Sequence, residues 1–206
     1  MRTQAQNLTV ILLGTGNPIL RLDRFGPSTL VDAGAETLLF DCGRGVAQRL
    51  RQLQRPLRVT AVFLTHLHSD HIVGIPDLWL TGWLFPPSTE PFRLWGPTGS
   101  KEMMANLEKA YQADIRIRIE TEKLPPRGVA VLAEDITEGV VYEKNGVKVT
   151  AFDVNHGLNR TTGDWHRDAP ADRSRVVTPL QQSARSFCAE NNDSGDSPCR
   201  ASPGAS

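Results

Sequence analysis

The chain has no apolar run of about 18 residues, which argues against a membrane-spanning helix. Ahead of the short run Val10 to Leu13 stands only a polar lead, far too little for the apolar region of a signal peptide. Cysteine is scarce. Cys42, Cys188 and Cys199 are odd in number and lack metal-finger spacing, so a disulfide framework is not expected. Net charge is absent too, with 23 Lys plus Arg against 23 Asp plus Glu, and the balance holds regionally: 17 and 17 in residues 1–157, 6 and 6 after them. No general basic field exists to attract nucleic acid or an anionic membrane, so an RNA-binding module is a weak reading. From these absences a soluble, unexported, cytoplasmic protein is expected. At 206 residues it has room for one ordinary domain, or one domain and a tail.

Composition divides the chain near residue 157. Up to that point, apolar runs alternate with Gly/Pro punctuation at the density of a packed domain. From Leu158 to Ser206 there is no Ile, Met, Tyr or Lys. Only Leu158, Val176, Val177, Leu180 and Phe187 offer large aliphatic or Phe core side chains there, too few to offset the entropy of ordering such a stretch. Residues 158–206 are therefore expected to form a low-complexity, disordered tail, and the abrupt change to reflect a fragment or a frame-shifted end.

Within residues 1–157 the patterns predict strands at Leu8 to Leu13, Ser28 to Asp32, Thr37 to Asp41 and Phe92 to Trp95. Val59 to Leu64 reads as a strand buried on both faces. Helices are expected over Val46 to Leu53, over His71 to Trp83 with Pro76 either in the first turn or bending it, and over Lys101 to Tyr111 with Ser100 as N-cap. Ile115 to Ile119 alternates Ile with Arg and reads as a half-exposed strand. Asn145-Gly146 is the strongest hairpin signal, between strands Val140 to Tyr142 and Val147 to Val154. Together these elements imply a layered α+β sandwich with helices outside.

The sharpest chemical feature is His66-Leu67-His68-Ser69-Asp70-His71, set where the buried strand gives way to a helix. At this chain's own residue frequencies such a pattern arises by chance on the order of 10⁻⁴ times. In extended backbone, residues two apart point the same way, so His66, His68 and Asp70 converge, and the turn into the helix brings His71 beside them. Imidazole nitrogen and carboxylate oxygen are ligands a zinc ion accepts. His156, at another strand end, would complete a three-nitrogen set with His66 and His68, leaving one position open for water. Asp41 closes a buried strand. It needs a donor, either the free ring N–H of a metal-bound histidine or the Gly43-Arg44-Gly45 turn. Cys42 beside it reads as a small buried filler.

The segments Leu13-Gly14-Thr15-Gly16, Gly26-Pro27-Ser28-Thr29-Leu30-Val31, Leu39 to Gly45, Leu64 to His71, Gly96-Pro97 and Asp153 to Gly157 resemble the metallo-β-lactamase-fold superfamily, in its ribonuclease Z and arylsulfatase-like branch. The resemblance covers residues 8 to 157. It implies a four-layer αββα sandwich, here with its N-terminal part present and its C-terminal part incomplete. It implies two zinc ions, the first held by His66, His68 and His156 and the second by Asp70 and His71. Asp70 would also be catalytic, orienting the attacking water. The implied activity is hydrolysis of a phosphodiester or sulfate ester, on a small ester or an RNA substrate. Gly43-Arg44-Gly45 and Leu78 to Trp83 are closer to the arylsulfatase-like members.

Departures accompany the match. Family members continue past the His156 position with a Gly-Asp-Thr turn, whose aspartate bridges both metals, and a later histidine. Here Gly163-Asp164 and Ser194-Gly195-Asp196-Ser197 stand in the tail without the expected strand, and His166 is the sole remaining histidine. The second metal site is thus incomplete, and a catalytically inactive remnant is the alternative to a working hydrolase. A sandwich short of strands also leaves apolar faces and edges uncovered, which predicts marginal stability, aggregation or a homodimer. Calorimetry with light scattering checks this: a monomer melting cooperatively well above about 65 °C would contradict it.

Overall fold

The computed structural model describes residues 8–155 together with Arg173–Ser174 and Ser186–Asn191. Six strands build the first sheet: β1 (Leu8–Gly14), β2 (Ser28–Ala33), β3 (Glu36–Phe40), β4 (Ala61–Phe63), β5 (Phe92–Gly96) and β6 (Val131–Asp135), in that spatial order. Between them run α1 (Val46–Gln52), α2 (Ser69–Ile72), α3 (Ile75–Leu84), α4 (Ser100–Ala110), α5 (Gln112–Glu120) and α6 (Pro126–Val129). β1, β2 and β3 pair antiparallel as a meander, whereas β3, β4, β5 and β6 are parallel. Parallel neighbours need crossovers, and the helices supply them. The second sheet holds β7 (Gly139–Lys144), β8 (Val147–Asn155) and β10 (Ser186–Asn191), with β9 (Arg173–Ser174) also on β8.

The first sheet has a core on each face. Leu30, Leu39, Val62, Leu64 and Leu94 pack toward the helices, meeting Leu50 of α1, Trp79 and Trp83 of α3 and Met104 of α4. Val31, Leu38 and Phe63 point the other way, onto Tyr142, Val147, Val149 and Ala151 of the second sheet. β4 is buried at every residue because it lies between both cores, as its unbroken apolar run predicts. Helices, sheet and sheet are thus three successive layers of the αββα sandwich among the described residues.

A buried acid joins the two sheets. Glu36, at the start of β3, accepts hydrogen bonds from Tyr142 Oη (2.5 Å) and Asn145 Nδ2 (2.5 Å), with Lys144 Nζ at 3.4 Å. Burial and the adjacent carboxylate hold the Tyr142 phenol well above its usual pKa. The hairpin reaches Glu36 because Asn145 and Gly146 both adopt positive φ (50° and 78°), the two-residue turn that the Asn-Gly pair favours.

Three expectations are revised. Ile115 to Ile119 lies in helix α5, not in a strand. Arg118 bonds Asp114 one turn before it (3.0 Å) and Glu122 one turn after it (3.3 Å), which only a helix permits. Ile115 and Ile119, four apart, pack on the helix-side core, while Ile117 stays 56% exposed. Helix α4 is capped by Gly99 rather than Ser100, whose hydroxyl instead donates to Pro97 O (2.7 Å). The α4 amides of Gly99 and Lys101 donate to the Asp135 carboxylate at 3.1 and 2.8 Å. Two pieces of the expected disordered tail, β9 and β10, are strands paired with β8, and the rest of that tail lies outside the described residues.

β1 is an edge strand. Its Ile11 and Leu13 pack on the helix-side core, and the alternate residues Leu8, Val10 and Leu12 remain 44%, 54% and 53% exposed. Among the described residues, no helix is long and apolar enough to cross a membrane. Removing the phenol in Tyr142→Phe takes a donor from buried Glu36 and should cost about 1–3 kcal/mol, read as a lower urea midpoint at unchanged slope.

Candidate metal centre

The site forms where β3 and β4 end side by side, at the carboxyl edge of the parallel half of the sheet, the edge at which such sheets commonly present ligands. Phe40 pairs with Phe63, and the Asp41 N–H donates to Phe63 O at 2.8 Å. Asp41 then takes a positive φ of 60°, costly for a residue with a Cβ, and this turns the chain out of the sheet. The two segments leaving the strands are knitted backbone to backbone. Cys42 N–H donates to His71 O (2.7 Å) and Gly74 N–H to Cys42 O (2.9 Å). Gly43 N–H reaches Pro27 O and Ser28 Oγ, each at 3.0 Å. Glycine is required at this junction: a Cβ on Gly43 would stand 2.6 Å from Gly26 C and 2.7 Å from Asp70 O, and one on Gly74 2.3 Å from Gly43 O.

Four of the five residues expected to hold metal are brought together as two pairs. His66 Nε2 and His68 Nδ1 face each other at 2.9 Å. His71 Nε2 stands 3.6 Å from Asp70 Oδ2. The pairs are neighbours, with the His66 and His71 ring centroids 4.1 Å apart. His156, the fifth, lies outside the described residues. Asp41 supports the cluster: its Oδ2 accepts from His71 Nδ1 at 2.7 Å, which turns His71 Nε2 toward Asp70. Burial works against a charged His71 imidazole, but the hydrogen bond and charge of Asp41, with Asp70 beside it, outweigh that and raise its pKa. Cys42 is free and fully buried, and burial pushes its thiol pKa well up, as befits a filler.

Thr65 is the residue that the sequence reading passed over. Its N–H donates to Asp41 Oδ1 (2.8 Å), and its Oγ1 lies 2.9 Å from both Asp41 oxygens and 3.0 Å from His66 Nδ1. A hydroxyl at the end of an otherwise apolar strand, directly before the histidine cluster, is the signal that marks it.

The donor chemistry fits a borderline divalent cation. The Asp70 carboxylate stands 3.6 Å from His71 Nε2, and carboxylate oxygen and imidazole nitrogen are both ligands that a zinc ion accepts. Two nitrogens bound at about 2.0–2.1 Å to one tetrahedral ion sit about 3.4 Å apart. The 2.9 Å between His66 Nε2 and His68 Nδ1 lies within about 0.5 Å of that separation. Among the described residues, no three His, Cys, Asp or Glu side chains are already gathered as a metal-holding group. The arrangement is two half-sites, each needing further donors.

An αββ layering with these donors at one sheet edge defines a metallo-β-lactamase-fold, ribonuclease Z-like protein. The chain belongs to the family described as anti-Pycsar protein Apyc1, whose model matches residues 8–161. It is similar to the ribonuclease Z of Mycolicibacterium gilvum (strain PYR-GCK), at 41% identity over 152 residues, 72% of this chain and 53% of that protein. Among solved structures it is similar to the metallo-β-lactamase-fold protein YhfI from Bacillus subtilis, with TM-score 0.52 and 19% identity, covering 73% of this chain and 55% of that one. The short form of human tRNase Z gives TM-score 0.51 and 24% identity over 71% of this chain and 59% of that chain. The chain spans about half the length of the curated relatives it matches.

The close backbone contacts at Gly43 carry a direct test. Gly43→Ala should destabilise the fold by about 2–3 kcal/mol, because backbone atoms cannot yield as side-chain tips can. Chemical denaturation measures it, as a lower midpoint at unchanged slope.

Proposed function

We propose that this chain carries the ligand-bearing half of a zinc-dependent phosphodiester hydrolase. The observation that supports the reading most is the approach of the His66–His68 and Asp70–His71 pairs at one sheet edge, with Asp41 holding His71 in place. His66, His68 and His156 would hold a first zinc ion, and Asp70 and His71 a second. A bound divalent cation would stabilise the charge that develops on phosphoryl oxygens and bring the pKa of a water to about 7. Asp70 accepts a hydrogen bond from the attacking water and so fixes its direction. Asp41 keeps His71 in one ring orientation throughout, and Leu67, packed into the helix-side core between two of the histidines, anchors their backbone. The substrate is a small phosphodiester or an RNA, in line with the names of the ribonuclease Z relatives; a sulfate ester is the arylsulfatase-like variant of the same chemistry. We place the protein in the cytoplasm, on the strength of its few, scattered cysteines.

A second reading, a catalytically inactive remnant, is favoured by one observation: no Gly-Asp-Thr turn follows His156 in the sequence. Metal analysis and turnover separate the two. The purified, folded chain should carry about one equivalent of zinc or more and hydrolyse a chromogenic phosphodiester faster than an aryl sulfate, with His68→Ala reducing the rate to background. Folded protein well below one equivalent, with no turnover after zinc addition, would leave the remnant. Faster sulfate hydrolysis would reassign the substrate.

A further inference from the structure

We infer that Thr65 is a positioning residue that fixes the ring tautomer of His66, with Asp41 as the anchor from which the orientation is set. The inference rests on the metal-binding reading for its purpose and on the hydrogen-bond geometry for its content. Three acceptor-capable atoms surround one hydroxyl: Asp41 Oδ1 and Oδ2, each at 2.9 Å, and His66 Nδ1 at 3.0 Å. The hydroxyl has a single proton to give. If it went to His66 Nδ1, both carboxylate oxygens would face the lone pairs of Thr65 at 2.9 Å with no proton between them, in a buried pocket where that repulsion is little screened. An ionised aspartate only accepts, so the Thr65 hydroxyl donates to Asp41 and its remaining capacity is that of an acceptor. His66 Nδ1 must then bring its own proton. The neutral ring consequently carries its lone pair on Nε2, the nitrogen that faces His68 Nδ1 at 2.9 Å.

The same carboxylate does this twice. His71 Nδ1 donates to Asp41 Oδ2 directly, leaving its Nε2 toward Asp70, whereas His66 is reached one atom further on, through Thr65. One acid therefore sets two imidazoles in the same tautomer, one from each half-site. The backbone makes this arrangement rigid. Thr65 N–H is itself bonded to Asp41 Oδ1, which fixes the residue's main chain beside the carboxylate that its hydroxyl meets.

The test is made on the full chain, free of metal and labelled with ¹⁵N in its histidines. Long-range ¹H–¹⁵N correlations should show His66 protonated at Nδ1 in the unsubstituted protein and in Thr65→Ser. In Thr65→Val, which keeps the shape and loses the hydroxyl, the proton should move to Nε2 in a major fraction of molecules. Zinc affinity, titrated against a competing chelator, should fall by about 10–100-fold in Thr65→Val and return to within a few-fold of the unsubstituted value in Thr65→Ser. Should Thr65→Val not fold, Thr65→Ala gives the same readout without crowding. His66 protonated at Nε2 in the unsubstituted protein would overturn the inference, and so would an unchanged tautomer in the variants lacking the hydroxyl. If the tautomers behave as stated but no protein binds zinc, the positioning role stands and the hydrolase reading falls.

Discussion

The Asp41 carboxylate is the contact on which the rest of the site depends. It sits at the end of β3 in a backbone conformation that a non-glycine residue adopts only under constraint, and the constraint is visible: donors from two other segments converge on its two oxygens. Thr65 brings the end of β4 to it and His71 brings the start of α2. Without that acid, β3 and β4 would still pair and both cores would still pack. The histidine-bearing segment would keep only its main-chain bonds to Cys42 over the end of β3. Apolar burial makes the platform, and a single charge selects how the chain leaves it.

Glycine does the complementary work. Gly43 and Gly74 let the loop after β3 and the turn between α2 and α3 approach until main chain bonds main chain. The ligand-bearing residues are therefore aligned by peptide groups, whose positions are set by the two strands, and not by long side chains that could reorient. Four donors from one short stretch are held in this way as two pairs, and closure of either into a full set requires donors from elsewhere in the fold.

Much of this was legible in the residues. The buried strand β4, the Asn-Gly hairpin and the convergence of His66, His68, Asp70 and His71 follow from periodicity, turn chemistry and spacing, all of which are local. What was not legible is what depends on partners far away in sequence. Ile115 to Ile119 spells a period of two, yet its helix is decided by Arg118 reaching Asp114 and Glu122 and by a core that takes every fourth residue. The cap of α4 lies across a loop, on Asp135, which no local rule could name. Thr65 stands one place past the predicted strand and drew no role of its own, because the acid that gives its hydroxyl a task is 24 positions earlier. The pairing of β10 with β8 escaped composition for the same reason: a strand can be ordered by its neighbour even when its own sequence offers little to bury.

Glu36 has an effect beyond holding two layers together. The facing surfaces of the two sheets join aliphatic side chains such as Val31, Leu38, Val147 and Val149 to the aromatic group Phe63, Trp95 and Tyr142, whose stacked and edge-on contacts already favour one seating of the β7–β8 hairpin. The buried acid is not interchangeable, since a slip by one repeat of the pleat would carry away the phenol, the amide and the ammonium at a stroke and strand a charge in the interior. A single carboxylate thus adds a polar notch to a seating that the shapes of the rings already select.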